Sequence, residues 1–271
     1  DYEKSLSIEP DSRESLERLS ALLEEAMEGS VDQERVDEER ADVARRERAQ
    51  RLVELYTQRV ELGDSSDADL RFELHSRAAK LHEAVLESPR DAISSLDAAL
   101  EARPSDGDTL ASLERLYRRE SMWHELLENL RQQAALAADT AARAELRTRI
   151  GDLLRVELSS PAEALEQYKL VLDEAPEHTG AIAALRAIAD SEEDLRVEAT
   201  EVLLPFLRAG DKHEDRVAVL ELRAGSLTEP GDRAEVLGEL ASVLDEKLDR
   251  PTDALKAMLR ALDELPERED L

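Results

Sequence analysis

Prolines set the frame of this 271-residue chain, because they come in pairs fifteen residues apart: Pro89 with Pro104, Pro161 with Pro176, and Pro251 with Pro266. Inside each pair the same residues return. Ala92, Ala164 and Ala254 stand three places after the first proline, and Leu100, Leu172 and Leu262 stand four before the second. Proline fits the first turn of a helix, where its missing N–H has no partner to lose, and it stops a helix that runs into it. Each pair therefore brackets one helix of the same kind. Ala92, Ile93, Leu96, Ala99 and Leu100 follow the i, i+3, i+4, i+7, i+8 spacing of a single buried face.

A second amphipathic segment precedes each bracketed helix and shares further columns: Arg71, Arg143 and Arg233; Glu73, Glu145 and Glu235; Leu86, Leu158 and Leu248. The unit is a helical hairpin. Another hairpin follows Pro104, with Leu110, Leu113, Leu116 and Tyr117 on its first helix and Trp123, Leu126, Leu127 and Leu130 on its second. One period is thus four helices over the 72 residues from Pro89 to Pro161. From Pro161 to Pro251 the interval is 90, and the 18 extra residues fall between Pro176 and Phe206. They predict a short helix at 178–189 and another at 192–208 bent by Pro205. At the start, Tyr2, Leu6 and Pro10 repeat the spacing of Tyr168, Leu172 and Pro176, which predicts that the chain begins and ends inside a longer array.

The expected fold is all-α: one right-handed solenoid of antiparallel hairpins over 1–271, with about 13–14 helices. Its parts are a partial hairpin at 1–10, a hairpin with a charged helical insertion at 11–66, and repeats at 67–138, 139–208 (with an extra helix) and 209–271. Composition agrees, since 41% hydrophobic and 37% charged residues with only nine Gly and nine Pro leave little material for strands.

The pattern resembles the tetratricopeptide repeat family, in which the second helix carries a small residue, a large one four later, then Ala-Leu and a closing Pro. Here that reads Ala92, Leu96, Ala99, Leu100, Pro104; then Ala164, Tyr168, Val171, Leu172, Pro176; then Ala254, Met258, Ala261, Leu262, Pro266. Departures are that Gly151 alone matches the family's glycine, that the aromatics of the first helix are mostly Leu, Ala or Gly, and that the hairpin turn is one residue longer.

The resemblance implies a concave groove, lined by the first helix of each hairpin, that binds proteins or peptides. Carried over by position, its face holds Glu73, Ser76, Lys80 and Glu83; then Glu145, Thr148, Asp152 and Arg155; then Glu235, Gly238, Ser242 and Asp245. The plain alternative is that every amphipathic helix has a polar face. Family members that clamp a carboxylate use Lys and Asn at such positions, an arrangement missing here, so an acidic C-terminal peptide is not the expected ligand of this groove.

Charge narrows the partners. With 65 acidic against 36 basic residues the formal charge is −29, which repels phosphate backbones and anionic membranes, and 3% aromatics leave few platforms for stacking bases. A basic protein is the partner that this acidity would attract, although acids spread along the whole chain also serve solubility alone. No cysteine is present, so there is neither a disulfide framework nor a thiolate metal site. No apolar run has the length of a membrane span, and no signal peptide is visible. The compartment stays open, with the cytoplasm as default, and so does the oligomeric state.

Residues 31–62 read as one charged helix of about thirty residues. Its i,i+4 pairs, Arg35 with Glu39 and Asp42 with Arg46, support a solvated extension, with a docking arm as the alternative. His75 and His82 share a helix face but lack a third ligand at metal-site spacing, and His124 with Glu125 begins a zinc-protease signature that Glu128 breaks. Trp123 reads as a packing residue. No phosphate loop and no nucleophile elbow occur, so neither a cofactor nor catalysis is expected. The functional expectation is a protein-binding scaffold; an accessory or regulatory segment of a larger enzyme or signalling protein, or a structural spacer, is the alternative.

Overall fold

A computed structural model describes residues 13–28, 38–63 and 67–265. The partial hairpin expected over 1–10, the front of the charged run at 31–37, and Pro266 lie outside them. The described residues form thirteen α-helices and no strand. In chain order these are α1 (Arg13–Glu28), α2 (Glu38–Leu62), α3 (Ala68–Ala84), α4 (Pro89–Ala102), α5 (Gly107–Arg119), α6 (Trp123–Leu136) and α7 (Thr140–Val156). They continue with α8 (Pro161–Glu174), α9 (Thr179–Ser191), α10 (Arg196–Ala209), α11 (His213–Ser226), α12 (Pro230–Glu246) and α13 (Pro251–Glu264). The chain forms two compact units that divide within α6, between Asn129 and Leu130.

All three proline-bracketed helices start on their proline. The turn before each is the same in detail. Glu87, Ser159 and Asp249 take a left-handed backbone, with φ of 52°, 51° and 52°. The next amide, of Ser88, Ser160 or Arg250, then donates to the carbonyl six residues back at 2.8 Å. This is the longer hairpin turn that the sequence implies, and no glycine serves it although a side chain in this region costs about 1 kcal/mol. Ser121 and Asp211, 90 residues apart, make the corresponding left-handed turns before α6 and α11.

Within unit one, α1 through α5 pack each on the next in chain order, and within unit two α7 through α13 do the same. Ion pairs between the start of one helix and the end of its partner fix the hairpins as antiparallel. Arg143 and Arg147 at the start of α7 hold Glu174 at the end of α8, at 3.0 and 2.6 Å. Arg233 of α12 holds Glu264 of α13 at 2.6 Å. In the first copy Ala102 stands where the acid should be, and the clasp is reversed: Arg103 at the end of α4 reaches Asp69 of α3 at 2.6 Å and lies over the Phe72 ring at 4.2 Å.

The extra residues after Pro176 form α9, a short 3-10 turn at Glu193–Leu195 and α10, close to the expected 178–189 and 192–208. Pro205 does lie inside α10. Helix α9 keeps the register of α5, because His178 caps it through Nδ1 as Asp106 caps α5, each accepting an amide three residues on. The charged run yields a 25-residue α2, about 37 Å long. Residues 41–47 are mostly exposed but tied down, since Arg46 pairs with Glu87 at 3.2 Å, and Ala49, Leu52, Leu55 and Tyr56 are buried further along.

Candidate protein-binding groove

The small column of the repeat, Ala92, Ala164 and Ala254, is buried in every copy, and so is the column of Ala99, Val171 and Ala261. In the middle copy Gly151 faces Tyr168, and the positions that correspond to this pair in the other copies hold Ala79 with Leu96 and Ala241 with Met258. For the middle copy the fit is tight, since a Cβ on Gly151 would come within 2.5 Å of the Tyr168 ring. The described residues form an all-α repeat of antiparallel helical hairpins with one packing pattern in its three proline-bracketed copies.

Four first-helix residues of the first copy meet the expected groove in different ways. Ser76, Lys80 and Glu83 line a groove of about 280 Å³ between α3 and α5, over a floor that includes Phe72, Ala79 and Leu96. Its α5 wall carries Asp106, Asp108 and Ser112. Glu73 turns to its own helix and pairs with Arg77 at 2.6 Å. Glu83 is already held: Arg115 of α5 donates to both its oxygens, one at 2.7 Å, and that hydrogen bonding keeps its carboxyl below the ordinary range. Lys80 is exposed, and no carboxylate of the described residues pairs with it. The Ser76 hydroxyl is buried without a hydrogen-bond partner.

In the second copy the four positions divide. Thr148 does not present an exposed face: it is buried at 8% exposure, and its hydroxyl donates back to the Ala144 carbonyl at 2.9 Å. Asp152 and Arg155 are directed at the partner helix, Asp152 accepting the Tyr168 hydroxyl at 2.7 Å and Arg155 lying beside the same phenol. Burial and the Asp152 carboxylate raise the Tyr168 pKa, and Arg155 opposes them. Glu145 is exposed, with His178 Nε2 at 3.7 Å. In the third copy Glu235, Ser242 and Asp245 are exposed and Gly238 is partly buried; the Ser242 hydroxyl donates to the Gly238 carbonyl at 3.2 Å. Its neighbour Glu239 carries the stronger interaction there, clamped by Arg208 at 2.8 Å and by Arg216.

The α5 wall was within reach of the sequence. A half-period of 36 residues carries Ser76 onto Ser112 and Glu73 onto Thr109, whereas the proline pairs bracket only every second hairpin in the first period.

The histidine pair has a structural setting. Burial pushes the imidazoles of His75 and His82 below their ordinary value; Arg71 adds to this at His75, while Glu101 opposes it there and Asp91 opposes it at His82. His82 Nδ1 is buried without a partner. Among the described residues no group of three or more His, Asp or Glu side chains could hold a metal ion. Because the folded state binds these protons less readily than the unfolded chain, the contribution of the pair to stability is full above the unfolded value of about 6.5 and is lost as pH falls from there through the lower folded values. Urea midpoints measured at pH 7.5 and 5.5 should show this fall, and the double variant His75→Gln, His82→Gln should flatten it; an unchanged slope would mean that neither imidazole is kept neutral by the fold.

No protein-family model and no curated protein matches the sequence. Solved structures similar to the chain include YrrB, described as a TPR protein with an unusual peptide-binding site, at 18% identity, covering 80% of this chain and 95% of that one, with a TM-score of 0.29. MamA is similar at 10% identity, covering 87% and 98% with a TM-score of 0.31. PilF of Pseudomonas aeruginosa is similar at 14% identity, covering 91% and 95% with a TM-score of 0.30. At this level of superposition no residue is carried from them to this chain. No helix among the described residues is long and apolar enough to cross a membrane.

Proposed function

We propose that the chain is a protein-interaction scaffold whose first unit seats a basic segment of a partner in the groove between α3 and α5. The observation that carries this reading is the pairing of unlike walls over an apolar floor. On one side stand donors, the buried Ser76 hydroxyl and the Lys80 ammonium; on the other stand Asp106 and Asp108. Phe72, Ala79 and Leu96 lie between. An extended peptide offers the complement: carbonyls toward α3, a cationic side chain toward Asp108, and an apolar side chain on the floor. Glu83 takes no part, since Arg115 neutralises it. At about 280 Å³ the groove has room for one or two side chains. The overall charge of −29 adds a field that draws basic partners at low salt.

The test uses pooled fluorescein-labelled seven-residue peptides with a central leucine flanked by Lys or Arg, titrated with the whole chain and followed by anisotropy. Asp108→Lys should weaken binding about tenfold, in line with a lost charge contact of about 1.4 kcal/mol. Asp108 lies in the first turn of α5, so the reversal also loses its interaction with the helix dipole and unfolding free energy should fall by about 0.5–1 kcal/mol. Equal binding by wild type and Asp108→Lys, or no binding of the pool, removes the groove assignment.

A further inference from the structure

We infer that the second unit carries a separate docking groove of opposite charge preference, which seats an aliphatic side chain of a partner protein beside a carboxylate. The groove lies where the chain departs from its own repeat. Three helices, α9 to α11, stand between the second and third proline-bracketed hairpins, whereas two stand between the first and second. Helices α9 and α11 make the walls and α10 the floor, enclosing about 250 Å³. The floor is apolar, since Leu203 and Leu207 come up from α10 and Val219 from α11, each 0–1% exposed. Ile182 and Ala183 continue this surface up the α9 wall, Ile182 partly buried and Ala183 open to solvent. The volume again has room for one or two side chains.

Charge fixes which side chains. Lys212 and Arg186 stand on opposite walls of the groove. In a chain with 65 acidic residues most arginines are occupied by carboxylates, yet Lys212 is partly buried and no carboxylate of the described residues pairs with it. Among the described residues Arg186 pairs with Asp190, four residues on in the same helix, at 3.3 Å. An incoming carboxylate therefore gains a cation at Lys212 without displacing a partner, and can share Arg186. Asp215 on the α11 wall repels a second carboxylate, so the groove prefers one acid next to one aliphatic residue over a uniformly acidic stretch. Repulsion from the distant negative charges of the chain is confined to about 8 Å at physiological salt, so it does not overrule these local contacts.

This inference does not rest on the groove of unit one, and the experiment separates the two. Pools of fluorescein-labelled seven-residue peptides, each with a central leucine flanked by Asp or Glu in one pool and by Lys or Arg in the other, are titrated with the whole chain in 0.15 M salt. The acidic pool is expected to bind and Lys212→Glu to weaken it at least tenfold. Ala183→Tyr, which fills the groove from an exposed position, should abolish binding, while Lys80→Glu and Asp108→Lys in unit one leave it unchanged. Circular dichroism checks that each variant is folded, and if Ala183→Tyr is not, Lys212→Glu alone decides. No binding of the acidic pool, equal binding by Lys212→Glu, or loss on changing unit one instead would overturn the assignment. Failure of the basic pool alone would count only against the groove of unit one.

Discussion

Replacing Gly151 with alanine is expected to destabilise unit two by about 1–3 kcal/mol, the usual cost of forcing a methyl group into a packed site. Helix propensity argues the other way, because a glycine inside a helix costs about 1 kcal/mol against alanine. Geometry decides between them. A Cβ at this position would lie 2.5 Å from Cε1 and 2.7 Å from Cζ of Tyr168. The ring cannot step aside, since it is 0% exposed and its hydroxyl is anchored on Asp152 at 2.7 Å. Repeat register suggests what relieves the clash: where alanine stands in the other copies, at 79 and 241, the position of the tyrosine holds Leu96 or Met258. The double variant Gly151→Ala, Tyr168→Leu rebuilds the first copy's pairing inside the second. Each single change should cost stability, and the double should cost less than their sum by at least about 1 kcal/mol, as residues in direct contact do. Urea unfolding of the four proteins gives the cycle; strict additivity would mean that Gly151 and Tyr168 do not determine each other.

That size match also shows how far the sequence could be read. The columns at 92, 96, 99 and 100 and their partners name a buried face because a helix returns to the same side every 3.6 residues, and three copies in register exclude chance. Helices therefore emerged almost with their ends, down to the extra one after Pro176. Groove residues were less legible, for two physical reasons. First, the period gives which side of a helix a residue occupies but not whether a neighbour covers it, so Thr148, Ser76 and Ser242 look alike in sequence. In the structure Thr148 is buried, Ser76 lines a groove and Ser242 is exposed. Second, charged side chains are long and choose partners across helices. Glu83 lies 32 residues from Arg115, and Glu239 lies 31 from Arg208 and 23 from Arg216, separations that no local pattern announces. The reversed clasp of Arg103 on Asp69 shows that even a conserved geometry can be met by exchanged charges.

Pro205→Ala is expected to raise the stability of unit two by about 1–2 kcal/mol. Proline in a helix interior costs about 3 kcal/mol against alanine. About 0.4–1 kcal/mol of that is returned because proline stiffens the unfolded chain, and the packing of α10 on its neighbours retains part of the rest. Pro205 is the tenth residue of α10, so the Glu201 carbonyl lacks the amide that would normally close its turn. The ladder resumes at once beyond it, where the Gly210 amide donates to the Phe206 carbonyl at 3.0 Å. Pro205 itself is exposed, so alanine removes no buried contact. Leu203 and Leu207 straddle it and form the floor of the second groove. Proline inside a helix is a cause of kinks, and where alanine removes such a bend Leu203 and Leu207 shift relative to α9 and α11, so the same substitution should weaken capture of the acidic peptide pool while the thermal midpoint rises. Stability and binding moving in opposite directions would identify the bend as a feature that shapes the groove at a cost to the fold. A midpoint that does not rise would instead mean that neighbouring helices already absorb the strain, and binding unchanged beside a raised midpoint would remove the bend from any part in shaping the site.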